Sequence, residues 1–135
     1  MVKMDFNLKE GLKGKAEMEV TSKDTALSFG SGAVEVFATP IMVGLMENAS
    51  LKAVDELLPE DYTTVGTHLD ISHISATPIG MKVTAQAELI KIEGKALTFK
   101  VEVYDEVEKV GEGTHQRFIV SLEKFMGKCN SKLNK

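Results

Sequence analysis

The chain has 135 residues, a formal net charge of −4 and a pI near 5.4. This length suits one domain with its own hydrophobic core, and the acidic balance argues against nucleic acid as the main partner. No run of roughly 18 apolar residues is present, so we expect no transmembrane helix. Residues 1–5 lack the apolar segment of a signal peptide.

The single cysteine, Cys129, excludes an internal disulfide and is typical of a protein in the reducing cytosol. We therefore predict a cytoplasmic protein that has no membrane partner. The chain has no repeats, low-complexity tracts or linkers. We predict one domain over residues 1–135, in which residues 124–135 form a polar C-terminal tail.

The first predicted element is a strand over residues 13–22, where apolar and polar residues partly alternate. A glycine-punctuated loop follows at residues 29–33. We predict a short helical turn over residues 34–38, between this loop and the next element.

A long helix is predicted over residues 40–58. Thr39 suits the N-cap, Pro40 suits the first helical position, and Pro59 ends the pattern. At roughly 100° per residue the helix has one apolar arc and one polar arc. The apolar arc consists of Val43, Met46, Ala53, Val54, Leu57 and Leu58. The polar arc consists of Asn48, Lys52, Asp55 and Glu56.

Glu47 does not belong to the polar arc. Its predicted neighbours on the helix surface are Val43, Leu51, Val54 and Leu58. A carboxylate on an apolar face costs free energy unless it is paired or its pKa shifts. Because such exceptions to the local pattern concentrate at functional sites, Glu47 is the first candidate catalytic residue.

Four strands are predicted after the helix, because the pattern changes to a period of two. They cover residues 63–73, 81–92, 96–104 and 109–123. Residues 93–95 and 104–108 are typical of hairpin connections. This order predicts an α+β domain in which an antiparallel sheet packs against one central helix. The uncovered edge strand favours a dimer.

Two histidines lie on the strand that follows the helix. Strict alternation places His73 on the face with Val65 and Thr67, which we expect to meet the helix, and places His68 on the polar face. His73 is either one half of an acid/base pair with Glu47 or a structural histidine with Glu47 as its hydrogen-bond partner. We interpret His68 as a solvated strand residue.

Three further residues each allow two interpretations. Thr39 is explained by helix capping alone, although its hydroxyl could face the same cleft as Glu47. Gly66, in a Gly-Thr-His segment that recurs at Gly113, marks either a β-bulge or a close approach of another backbone segment or a ligand. Arg117, the only arginine, is either a strand-surface residue or a group that binds a carboxylate or phosphate.

Sequence motifs for several other functions are absent. The chain has no phosphate-binding loop, no dinucleotide fingerprint and no nucleophile elbow. Three histidines and one cysteine at irregular spacing do not make a zinc site. We therefore expect chemistry from Glu, His, Thr and backbone amides, without a metal or a cofactor.

The combination of these segments resembles the fluoroacetyl-CoA-type thioesterases, which have the hotdog fold, a long antiparallel sheet wrapped around one helix. The resembling segments are residues 36–47, 65–73, 76–80, 111–117 and 122–125. They occur in the same order and at matching spacing, and the resemblance extends over about residues 14–128.

The resemblance implies an acyl-CoA thioesterase that hydrolyses a small acyl thioester to a free acid and coenzyme A. In that family a Thr, a Glu and a His form the hydrolytic group, and they correspond to Thr39, Glu47 and His73. Gly66 corresponds to a glycine whose backbone lies at the acyl group, and Arg117 to an arginine near the cleft. The resemblance also implies a homodimer with its sites near the subunit interface.

The sequence departs from the family pattern at two positions. Ala33 and Asn48 stand where the family has aromatic residues. The resemblance therefore implies thioester hydrolysis without fluoroacetyl selectivity. Two alternatives remain: a non-catalytic acyl-CoA-binding or sensing module on the same fold, and a hotdog hydratase acting on enoyl thioesters.

Overall fold

The computed structural model describes residues 6–134, so the expectation about residues 1–5 and the last residue of the tail lie outside it. Its five strands are β1 (Lys13–Glu19), β2 (Tyr62–His73), β3 (Lys82–Glu93), β4 (Ala96–Tyr104) and β5 (Lys109–Ser121). Its three α-helices are α1 (Ala26–Phe29), α2 (Thr39–Val54) and α3 (Leu122–Asn130).

The strands form one antiparallel sheet in the order β1-β3-β4-β5-β2. Helix α2 packs mainly against β1 and β3, so it lies toward one half of the sheet. Its buried side chains belong to Met42, Leu45, Met46, Ala49, Ser50, Ala53 and Val54. The α+β architecture with one central helix is therefore as predicted, and burial of this helix face supplies the main hydrophobic stabilisation.

Two glycines let the sheet approach α2 closely. A Cβ atom at Gly14 would collide with the carbonyl oxygen of Ala49 and lie 2.6 Å from the amide nitrogen of Ala53. A Cβ atom at Gly111 would lie 2.5 Å from the sulfur of Met42. The helix backbone therefore packs directly on β1, and its methionines pack on β5.

The start of α2 differs from the prediction. Ala38 occupies the N-cap position and Thr39 is already helical, so Thr39 does not cap the helix. The preceding residues are held in an extended conformation, because Phe37 donates its N–H to Thr77 and Ala38 donates its N–H to Asp24. For the same reason the helical turn predicted over residues 34–38 is wrong.

The end of α2 also differs from the prediction. The helix ends at Val54 and a 3₁₀ turn covers Asp55–Leu57. This tighter turn buries Leu58 and leaves Leu57 50% exposed, so Leu57 does not belong to the buried face. Val43 is only half-buried, and the most buried side of α2 is centred on Met42 and Met46 instead. No helix among residues 6–134 has the length and apolarity needed to cross a membrane.

We expect Gly14→Ala to destabilise the protein by about 1–3 kcal/mol or more, because the added methyl group overpacks the contact between β1 and α2. Gly127→Ala in α3 is the matched control, since a Cβ atom there meets nothing within 4 Å and alanine favours a helix. Urea unfolding measures both variants. Equal stability of Gly14→Ala and the wild type would contradict the described packing.

Candidate active site

A β-bulge in β2 determines which of its residues face α2. Gly66 pairs with Arg117 on β5, but His68 pairs with Gln116, so Thr67 is an extra residue between two register positions. The bulge reverses the alternation. Gly66, before the bulge, pairs with the buried Arg117 on β5, and His73, after the bulge, pairs with Gly111. Both Gly66 and His73 therefore face the helix side of the sheet.

This bulge corrects the face assignment made from strict alternation, which grouped His73 with Val65 and Thr67. A bulge does occur next to Gly66, whereas the close approach of a ligand stays a prediction. A Cβ atom at Gly66 would lie 3.0 Å from Oε2 of Glu47 and 3.1 Å from Cε1 of His115. Any larger residue would crowd both side chains.

Thr39 and His73 form a hydrogen-bonded pair. The Oγ1 atom of Thr39 lies 2.7 Å from Nδ1 of His73, and the ring of Phe37 meets the imidazole edge-on at 6.4 Å between centroids. The Nε2 atom of His73 is buried and has no hydrogen-bond partner among residues 6–134. Burial lowers the pKa of His73 below its usual value, which favours the neutral imidazole at neutral pH.

Glu47 is half-buried, and its carboxylate lies at the wall of a cleft of about 410 Å³ between α2 and β2. We call this space the Glu47 cleft. Its lining residues are Gly44, Glu47, Asn48, Leu51, Thr64, Val65, Gly66 and Arg117. The partner of His73 is Thr39 rather than Glu47, so the structure does not join the three predicted catalytic residues in one hydrogen-bonded group.

Arg117 is buried, with 7% of its surface exposed, so the interpretation as a strand-surface residue is wrong. Its Nε donates to Oγ1 of Thr64 at 2.7 Å, and its Nη2 donates to the carbonyl of Thr64 at 2.9 Å. Burial lowers the pKa of Arg117, while the negative charges of Glu47 and Asp55 oppose that shift. The guanidinium thus contributes a fixed positive charge at the wall of the Glu47 cleft.

His115 is a site residue that the sequence reasoning missed. It is fully buried, its Nδ1 lies 2.9 Å from the carbonyl oxygen of His68, and its Nε2 lies 3.1 Å from Nη1 of Arg117. One sequence signal could have identified His115: alternation along β5 places it on the same face as Arg117. The side chain of His68 is exposed, as predicted.

A second cleft, of about 360 Å³, lies over β1, β3 and β4. Its charged lining residues are Lys13, Lys15, Glu88, Lys100 and Glu102. These side chains mix both signs of charge and include no histidine or hydroxyl group. The Glu47 cleft is the better candidate, because it combines a carboxylate, a glycine amide and a buried guanidinium.

The chemistry that the Glu47 cleft can perform follows from these groups. A carboxylate can accept a proton from water or attack a carbonyl carbon. A backbone N–H and a guanidinium can stabilise an oxyanion. Among residues 6–134, no group of three or more His, Cys, Asp or Glu residues is arranged to hold a metal ion.

Comparisons with known proteins identify relatives of this chain. The family model described as fluoroacetyl-CoA-specific thioesterase, FlK, matches residues 20–123. The fluoroacetyl-CoA thioesterase of Streptantibioticus cattleyicolor is 44% identical over 98 residues, which are 73% of this chain and 70% of that protein.

Two solved structures extend the comparison. A phenylalanine-to-alanine variant of FlK in complex with fluoroacetate and CoA is 36% identical, with a TM-score of 0.82 over 87% of this chain and 99% of that one. A hot-dog-like protein from Thermanaerovibrio acidaminovorans, 21% identical, has a TM-score of 0.85 over 96% of this chain and 97% of that one. This second likeness supports the fold alone, and the hotdog prediction is confirmed.

The family match covers most of the chain and includes all five residues that the resemblance singled out: Thr39, Glu47, Gly66, His73 and Arg117. The identity to a named member is well above the level at which only a fold is shared. The protein therefore belongs to the fluoroacetyl-CoA-specific thioesterase (FlK) family.

Proposed function

We propose that this protein hydrolyses small acyl-CoA thioesters to a free acid and coenzyme A, in the Glu47 cleft. The observation that carries the proposal is the position of Glu47 in the wall of the cleft, where its Oε2 would lie 3.0 Å from a Cβ atom at Gly66. Family membership places the chain among thioester hydrolases, the enzyme class that the sequence predicted. It also argues against the hydratase alternative.

Glu47 would perform the central step by one of two routes. As a general base, it takes a proton from water while the water oxygen attacks the thioester carbonyl carbon. As a nucleophile, its own oxygen attacks that carbon, the C–S bond breaks to release the CoA thiolate, and water then hydrolyses the anhydride that has formed. Both routes need an ionised carboxylate beside the acyl group.

The negative charge that develops on the carbonyl oxygen would be stabilised at Gly66. The amide N–H of Gly66 and the Nη groups of Arg117 are the nearby donors, since Nη1 would lie 3.6 Å from a Cβ atom at Gly66. The Thr39–His73 pair would bind or protonate the departing thiolate. The Nε2 atom of His73 supports that role, because it has no hydrogen-bond partner among residues 6–134.

We further infer a cytoplasmic homodimer. The outer edge of β2 has no strand partner among residues 6–134, and Leu69 on its helix-facing side is 41% exposed. A second copy that pairs with this edge would satisfy its free backbone groups. It would also cover the open side of the Glu47 cleft.

The acyl group is proposed to be small but not restricted to fluoroacetyl. Ala33 lies in an exposed loop and carries no aromatic ring that could close over the cleft, and Asn48 makes one wall polar. Acetyl, propionyl, branched and phenylacetyl thioesters are therefore candidates beside fluoroacetyl.

Glu47→Gln is expected to lower kcat on the best substrate of a short acyl-CoA panel by at least about 10²-fold, because the amide can neither accept the proton of water nor attack the carbonyl. The measurement is release of free CoA thiol. Glu56→Gln is the matched control, since Glu56 is exposed on the 3₁₀ turn that follows α2, outside the Glu47 cleft. Full turnover by Glu47→Gln would refute the role of Glu47. Tight acyl-CoA binding by a wild-type protein that releases no thiol would favour the binding-module alternative.

The imidazole of His73 is expected to titrate below pH 6.5 in the folded protein, because burial disfavours its charged form. As the pH falls, His73 in the unfolded chain would therefore bind a proton before His73 in the folded protein does. The free energy of unfolding should therefore fall as the pH drops from about 6.5 through the midpoint of His73. NMR titration, assigned with His73→Gln, measures the midpoint. A midpoint at or above 6.5 would contradict the described burial.

Sedimentation equilibrium tests the oligomeric state. We expect a dimer for the wild type and dissociation for Leu69→Lys, which places a charge beside the proposed interface. Val107→Lys is the control, because Val107 is 76% exposed in the β4–β5 turn. A monomeric wild type would refute the proposed dimer.

A further inference from the structure

The hydrogen bonds around His115 determine its protonation state. A backbone carbonyl can only accept a hydrogen bond, so the proton between His115 and His68 must lie on Nδ1 of His115. A guanidinium can only donate, so Nε2 of His115 must carry the lone pair that faces Nη1 of Arg117. His115 is therefore neutral and is held in a single tautomer.

The charged groups around His115 agree with this assignment. Arg117 faces it from the same strand, Glu47 faces it from α2, and β2 presents the carbonyl of His68. Burial is the main effect that lowers the pKa of His115, and the charge of Arg117 adds to it. Glu47 and the bond to His68 oppose this shift. A protonated His115 would direct an N–H at an N–H of Arg117 and break their hydrogen bond.

Thr64 and His115 together accept hydrogen bonds from all three nitrogens of the Arg117 guanidinium. Nε and Nη2 of Arg117 donate to Thr64, and Nη1 donates to His115. These contacts use three of the five N–H groups that an arginine carries. One N–H on each Nη atom remains, and Nη1 is the guanidinium atom nearest to Gly66, 3.6 Å from a Cβ atom built there.

We infer that His115 is a positioning residue that fixes Arg117 at the Glu47–Gly66 wall of the cleft. It acts through Arg117, because its own nitrogens are both occupied. It also ties that position to the β2 bulge, since the carbonyl it binds belongs to His68, the first paired residue after the bulge. The catalytic consequence rests on the proposed thioesterase function, whereas the coupling of His115 to Arg117 does not.

Two substitutions separate the two hydrogen bonds of His115. His115→Asn places an amide nitrogen near the Nδ1 position, so it keeps the bond to His68 and loses the acceptor for Arg117. His115→Gln places an amide oxygen near the Nε2 position, so it keeps the acceptor for Arg117. We expect the Asn variant to lose roughly 10- to 100-fold in kcat/KM, as for the loss of a bond to a charged group, and the Gln variant to keep most of the activity.

Urea unfolding of both variants separates positioning from a purely structural role. A structural role predicts that activity follows the loss of stability in both variants, whichever bond was removed. Positioning predicts that the Asn variant loses kcat/KM even where it is as stable as the Gln variant. Equal kinetic losses in the two folded variants would overturn the proposal.

An NMR measurement tests the coupling without turnover. Arg117 is the only arginine, so its side-chain N–H signals need no assignment. We expect the Nδ1–H tautomer of His115, and Arg117 signals that persist in the wild type and in His115→Gln but broaden in His115→Asn. Unchanged Arg117 signals in the Asn variant would overturn the inference. If the coupling is observed but the wild type hydrolyses no thioester, only the proposed function fails.

Discussion

The site depends on one irregularity, the extra residue Thr67 in the pairing of β2 with β5. Without this bulge, Gly66 and His73 would lie on opposite faces of the sheet, because their separation of seven residues is odd. With it, both face α2. The bulge also lies next to the carbonyl of His68, which binds His115 and so supports Arg117. One inserted residue thus arranges the backbone amide, the imidazole and, indirectly, the guanidinium.

Burial of a full positive charge is the main cost of this arrangement. Desolvation of a guanidinium is unfavourable unless its donors are satisfied and an opposite charge lies near. Thr64 and His115 satisfy three of the donors of Arg117, and Glu47 supplies the opposite charge. The position of α2 toward β1 and β3 leaves the cleft that Glu47, Thr64 and Arg117 line. The same buried groups therefore stabilise the local fold and prepare an electrostatic site.

Local patterns were sufficient for most of the fold and for the half-buried position of Glu47. Period-two alternation located the strands, and a carboxylate outside the polar arc marked Glu47, because both signals depend on neighbours along the chain. The bulge was not predictable, since strict alternation through Val65 and Thr67 is equally compatible with a regular strand. Thr39 was misjudged as a cap because its true partner, His73, lies 34 residues away. His115 was missed because its burial results from tertiary packing.

The most direct test of the proposed site is a crystal structure of Glu47→Gln with an intact acyl-CoA substrate bound. We predict that the thioester carbonyl lies in the Glu47 cleft, with its oxygen within hydrogen-bonding distance of the Gly66 N–H and residue 47 beside the carbonyl carbon. An acyl group bound elsewhere, for example in the cleft over β1, β3 and β4, would contradict it.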